Sequence, residues 1–232
     1  MNMADTVFFD ANLKSNPRLP TIVFSVSRRG DKTIVEADRR IRSLPRALIE
    51  KFRGDALFSR EAIAFLEDSV KRGFSRIGRF SVDPSSYDVI VTKTAKSFTS
   101  KGGMMLPPAE VYRGSGEDFP EELADLAETA KTNALICVAK QDGRIVSAAY
   151  TFEEPTENRY CEIGVQTCEQ YRRRHFALAT MRVLLGELEK RGATAIYRYE
   201  KSNLPSEGLS SACGFELCEE GYDIAVFQEG RN

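Results

Sequence analysis

The chain has 232 residues, long enough for one large domain or two small ones. Hydrophobic residues make up 42% and charged residues 29%, which excludes wholesale disorder and supplies apolar side chains for a substantial core. Net charge is −1, yet residues 1–112 carry 19 Lys and Arg against 13 Asp and Glu, and the remainder 14 against 21. This mild asymmetry fits two functional regions or two mutually attracting faces, and falls short of the compact basic footprint of a nucleic-acid binder.

No apolar run approaches the roughly 18 residues of a membrane span. The N-terminus, Met1 to Asp10, lacks a basic segment followed by a long apolar core, so no secretory signal is expected. The five cysteines, Cys137, Cys161, Cys168, Cys213 and Cys218, form no CxxC pair, and His175 is the single histidine. A zinc centre is therefore not expected, and an odd cysteine count fits reduced thiols in a cytoplasm.

Along the chain, Thr21 to Ser27 and Thr33 to Glu36 are β-branched and apolar, and Arg28-Arg29-Gly30-Asp31 divides them as a hairpin turn. Pro45 to Phe52 predicts a short helix. Ser59 to Arg72 predicts a longer one, with Ser59 as cap, Ile63, Phe65, Leu66 and Val70 on one face, and Gly73 as its stop. Tyr87 to Thr92 reads as a strand, and Ser97 to Pro108 as a loop and domain boundary. Pro120 to Lys131 predicts a helix capped by Asp118. Asn133 to Lys140 and Arg144 to Phe152 are strands joined through Gln141-Asp142-Gly143, and a third strand covers Arg159 to Thr167. The next helix places Ala177, Met181, Leu184, Leu185 and Leu188 on one stripe, pairs Glu187 with Arg191, and stops at Gly192. Ala195 to Tyr199 is a strand, Ser206 to Ala212 a short helix ending at Gly214-Phe215, and Tyr222 to Gln228 the last strand. This order makes the back half a mixed α/β layer with a helix packed on a sheet.

The turn Tyr171-Arg172-Arg173-Arg174-His175-Phe176-Ala177 stands out because it joins a strand to a helix. Three arginines beside unpaired helix N–H groups suit a phosphate-bearing ligand and reverse the usual acidic first turn. A solvated basic turn is the alternative reading.

That turn, with Asn203, Ser206 and Gly214-Phe215 beyond it, resembles the GNAT superfamily of acyl-CoA-dependent N-acetyltransferases over about residues 117–227. The strand Glu162 to Thr167, five residues before Arg172, is most similar to the branch containing zwittermicin-resistance-type acetyltransferases. The resemblance implies an α/β (α+β) fold with a mixed, mostly antiparallel central sheet flanked by helices. It implies acetyl-CoA as co-substrate, with its pyrophosphate on the turn Arg172, Arg173, Arg174, His175, Phe176 and Ala177. Backbone N–H groups should do most of that binding and arginine side chains add to it. The strand before the turn is expected to splay from Ala195 to Tyr199, so that Thr167 and its neighbours meet the pantetheine arm. Asn203 and Ser206 complete the cofactor set. Glu162 is the general base by the same resemblance, or else an exposed strand glutamate.

Two positions depart from the family pattern. His175 stands where a glycine is usual. It is strained if that position needs positive φ and tolerated if the residue is already helical, and the helical form is expected. Ser210 stands where relatives carry a proton-donating tyrosine, a role left to Tyr197, Tyr199, Tyr222 or solvent. Cys161 and Cys168 flank the site and are expected to be structural rather than nucleophilic.

The implied function is direct transfer of an acetyl group from acetyl-CoA to a primary amine of a small molecule or protein. The alternative is a non-catalytic acyl-CoA-binding or interaction module. Residues 111–232 would be the acetyl-CoA-binding domain, and residues 1–110 an accessory or substrate-selecting region or part of the same fold. The implied partner is an amine-bearing acceptor. A membrane is excluded, nucleic acid is not expected, and a homodimer is left open.

Overall fold

The computed structural model describes residues 4–11, 20–75, 80–83, 89–99, 105–157 and 159–228. Its first elements are strands β1 (Asp5–Phe9), β2 (Thr21–Arg29) and β3 (Lys32–Asp38), helices α1 (Leu44–Lys51) and α2 (Arg60–Phe74), and strands β4 (Phe80–Val82), β5 (Ile90–Ala95) and β6 (Ala109–Val111). Helix α3 (Asp125–Thr129), strands β7 (Ile136–Gln141), β8 (Arg144–Thr151) and β9 (Tyr160–Thr167), helix α4 (Phe176–Lys190), strand β10 (Thr194–Glu200), helix α5 (Leu204–Cys213) and strand β11 (Glu216–Gln228) follow. The fold is mixed α/β, with mostly antiparallel strand pairing and flanking helices. Residues 87 and 88 of the strand read at 87–92, and residues 100–104 of the loop read at 97–108, lie outside the described residues.

The chain divides into two compact units. The first comprises Met1–Val91, Glu200–Ser202 and Cys218–Asn232. Its strands run β1-β3-β2-β11, with β4 also on β11. The expected hairpin is β2 with β3, closed at Arg29↔Lys32. The core gathers Phe24, Val35, Leu48, Leu66, Phe74 and Ile224. Ser59 caps α2 by accepting from the Ala62 N–H at 3.2 Å. The helix passes Gly73 and ends at Phe74, one residue beyond the expected stop. Phe74 is fully buried and meets Phe80 edge-on at 5.4 Å, so the apolar stripe outlasts the glycine. Gly73 instead lets Ile41 approach, since a Cβ there would lie 2.7 Å from Ile41 Cγ2.

The second unit comprises Thr92–Tyr199 and Asn203–Leu217. Its strands run β5-β10-β9-β8-β7-β6. β6 to β9 pair antiparallel, while β9 and β10 are parallel because α4 carries the chain between them. The β7–β8 turn has Asp142 at φ +51 and Gly143 at +77, the two left-handed residues that a tight hairpin requires.

Four local expectations are corrected here. The stretch 120–131 is a 3-10 turn at Glu121–Leu123 followed by the five-residue α3, not one helix. Asp118 does not cap it, because its carboxylate accepts the Tyr112 hydroxyl. Leu123 and Leu126 still reach the core, so burial rather than helical regularity organises the segment. In α4 the buried surface is wider than one stripe: Phe176, Leu178, Ala179 and Thr180 are buried with Met181, Leu184, Leu185 and Leu188, and Ala177 is only half-buried. On the same helix Glu187 pairs with Lys190 at 2.6 Å, since Arg191 has left the helical path.

Candidate active site

The site is built where β9 parts from β10. Their register runs from Tyr160↔Thr194 to Ile163↔Tyr197 and ends there. On its other edge β9 stays paired with β8 through Thr167↔Ser147. Gly164 to Thr167 therefore lie beyond the β10 pairing, and their backbone groups on that edge are left to a third extended segment. The end of pairing falls where the family resemblance implies a splay. Thr167 is fixed at its end: its hydroxyl lies 2.8 Å from Ser147 Oγ, and its carbonyl accepts Arg172 Nε at 3.3 Å.

After Thr167 comes a 3-10 turn, Glu169–Tyr171, whose first N–H donates to the Glu122 carboxylate at 2.7 Å. Arg173 and His175 are both left-handed, at φ +58 and +64. The helical conformation expected for His175 is thus corrected: it is the N-cap of α4, with φ +64 and ψ +11. The chain must reverse sharply between an extended Arg172 and the helix, and two left-handed residues achieve that reversal within three positions. The first bond of α4 is Ala179 N–H to the His175 carbonyl at 3.0 Å, so the N–H groups of Phe176, Ala177 and Leu178 have no intrahelical acceptor. No acidic residue occupies the first turn of α4.

The arginine side chains differ in role. Arg172 holds the turn to β9 through Thr167. Arg174 stacks over Tyr171 and Phe176, at 5.3 and 5.5 Å from their centroids. Arg172, Arg173, Arg174 and His175 are exposed. Phe176 is buried against Ala139 and Val146, so only its backbone can face a ligand. Unpaired N–H groups and arginine charge thus meet at the start of α4.

Glu162 stands on β9 two residues before the splay begins, half out of the protein, with one carboxylate oxygen 3.9 Å from Arg198. Asn203 and Ser206 open α5. Asn203 Oδ1 caps the helix by accepting the Ser206 N–H at 3.1 Å, and Ser206 Oγ accepts the Tyr197 hydroxyl at 3.0 Å. Gly214 ends α5 in the left-handed conformation, φ +80, as the Gly-Phe pair suggested.

Ser210 is buried in a network that sequence reasoning missed. Lys93, on β5, donates to Glu207 Oε1 at 2.8 Å and to Ser210 Oγ at 3.2 Å. The Tyr199 hydroxyl donates to Glu207 and lies 3.1 Å from Ser210 Oγ. Burial by itself would lower the Lys93 pKa, but its bonds to Glu207 and Tyr199 outweigh that and raise it, so the ammonium stays charged. The Lys93 bond, then the Tyr199 bond, hold the Glu207 carboxyl below its ordinary range. Burial pushes the Tyr199 and Tyr197 phenols up. The third tyrosine considered, Tyr222, is buried in the first unit and donates to the Leu57 carbonyl at 2.9 Å. The lone signal in sequence was Lys93 itself, a charge inside an apolar run. Burial also pushes the thiols of Cys161 and Cys168 up, which disfavours a thiolate nucleophile at either.

A family model described as GNAT acetyltransferase matches residues 59–224, and the chain belongs to that family. Acetyl transfer is the activity this membership carries in general. Among solved structures the chain is similar to a GNAT-family protein from Novosphingobium aromaticivorans, at 17% identity and a TM-score of 0.48, over 69% of this chain and 81% of that one. It is similar also to a GCN5-related N-acetyltransferase from Sphaerobacter thermophilus, at 15% and 0.44, over 71% of this chain and 58% of that one. A GNAT-family acetyltransferase from Colwellia psychrerythraea overlaps at 14% and 0.41, over 64% and 57%. No curated protein matches. No helix among the described residues is long and apolar enough to cross a membrane.

Proposed function

We propose that this protein transfers an acetyl group from acetyl-CoA directly to a primary amine of a small molecule or protein. The observation that carries this reading is the end of β9–β10 pairing at Ile163↔Tyr197, next to the free N–H groups of α4. An extended amide-bearing arm ending in a pyrophosphate fits such an edge and such a turn. Gly164 to Thr167 would pair with the arm. Phe176, Ala177 and Leu178 would bind the pyrophosphate through backbone N–H groups, with Arg172, Arg173 and Arg174 supplying charge. Bound acetyl-CoA supplies the activated acyl group. Glu162, beside the start of the splay and open to solvent, would take the proton of the incoming amine. Asn203 and Ser206 serve by holding α5 against β10. The strand from Glu162 to Thr167 supports a zwittermicin-resistance-like branch. Residues 1–110 would select the acceptor, and the protein would work in the cytoplasm.

Calorimetry with acetyl-CoA, followed by thiol release across an acceptor panel of amines, tests the reading. Absence of acetyl-CoA binding overturns it. Acetyl-CoA binding without thiol release from any amine would favour a binding module instead. One observation favours that second reading: the Ser210 hydroxyl is buried and engaged by Lys93 and Tyr199.

A further inference from the structure

The acetyl-transfer reading leaves open what limits the size of the acyl group. Tyr150, on β8, lies directly opposite Gly164 on β9. Directly opposed residues of an antiparallel pair project to the same face, and alternate residues of a strand share a face. Tyr150 therefore shares a face with Gly164, Glu162 and Gln166. Gly164 is also the first residue of β9 beyond the last β10 pair. A Cβ at Gly164 would lie 2.5 Å from Tyr150 Cζ and 2.6 Å from its hydroxyl oxygen. The phenol thus lies across β9, in the space that a side chain at position 164 would take.

The ring is held there. Tyr150 is 8% exposed and belongs to the core cluster with Leu123 and Leu126. Phe152 meets it edge-on, with centroids 5.3 Å apart. A buried aromatic seated in a core cluster does not swing aside cheaply, because close-packed interiors resist displacement. Its position coincides with the start of the splay and with the face that carries Glu162. On the acetyl-transfer reading, an acyl group presented to an amine near Glu162 would occupy this region.

We propose that the Tyr150 ring, lying over Gly164, closes the acyl end of the site and restricts it to short acyl groups. This rests on the acetyl-transfer reading. The ring's bulk, rather than its hydroxyl, is the selective element, so phenylalanine should serve as well.

The test uses calorimetry on the full chain with acetyl-CoA, butyryl-CoA and free coenzyme A. The unsubstituted protein should bind acetyl-CoA at least ~10-fold more tightly than butyryl-CoA, the scale on which a pocket rejects excess methylenes. Tyr150→Val should bring the two within about 3-fold while free coenzyme A binds unchanged, and Tyr150→Phe should keep the full preference. Should the valine variant not fold, Tyr150→Leu, which keeps more buried volume, carries the same expectation. Equal binding of both thioesters by the unsubstituted protein overturns the proposal. So does a folded valine or leucine variant that keeps the preference, or a phenylalanine variant that loses it. Loss of all coenzyme binding by the unsubstituted protein would instead overturn the acetyl-transfer reading beneath it.

Discussion

Replacing His175 with glycine should make this protein more stable. His175 is held at φ +64, where a residue with a Cβ is disfavoured by roughly 1–2 kcal/mol. Its side chain is exposed and makes no capping bond to α4, so little else is lost with it. Glycine adds back about 0.5–1 kcal/mol through the greater freedom of the unfolded chain. The net gain is about 0.5–1 kcal/mol, which for a chain of this size raises the melting midpoint by roughly 1–4 °C. His175→Val should do the reverse and cost about 1–2 kcal/mol, because β-branched residues fit the left-handed region worst. Differential scanning calorimetry at matched pH, with chemical denaturation alongside, measures both. A glycine variant that melts lower, or a valine variant that melts unchanged, would refute the left-handed geometry and with it the nest-like turn. Acetyl-CoA affinity should be kept or improved in the glycine variant, since the proposed anion contact is made by backbone N–H groups and not by the imidazole.

Arg172→Ala should weaken acetyl-CoA by about 10-fold or more in calorimetry, through lost charge and through release of the turn from Thr167. Glu162→Gln should abolish most thiol release while leaving acetyl-CoA affinity within about 2-fold, a split that removal of a base produces and a folding defect does not. Gly214→Ala should destabilise by more than about 1 kcal/mol, read as a lower denaturation midpoint, because the position is left-handed and a Cβ would collide with Thr99. Glu207 has its carboxyl depressed below the ordinary 4.5, so its contribution is intact above that pH and is lost as pH falls through the lower folded value. Glu207→Gln should therefore flatten the loss of stability below about pH 4.5, and at pH 7 it should cost about 1–3 kcal/mol by leaving the Lys93 ammonium poorly paired.

Much of the second unit was legible in sequence because its signals are local. The stretch Arg144 to Thr151, the Asp142-Gly143 turn and the α4 stripe each follow from spacing within a dozen residues. The cap at Ser59 and the stop at Gly214 were equally local. The regions that went astray are those where a long-range partner overrides the local preference. Asp118 found Tyr112 instead of a helix N-terminus, and Gly73 served Ile41 instead of ending α2. Strand β1 escaped notice because its pairing with β3 depends on a partner about 30 residues away.

The candidate site divides in the same way. The sequence by itself determined that an arginine-rich reversal stands between a strand and an amphipathic helix, because composition and periodicity are carried along the chain. It also placed Glu162 on that strand. Only the tertiary structure decided that His175 is left-handed, because the reversal is set by where β9 ends and α4 must pack. It alone brought Tyr150 over Gly164 and gathered Lys93, Tyr199, Glu207 and Ser210, since strand register and the seating of α5 are collective results of burial that no local spacing records.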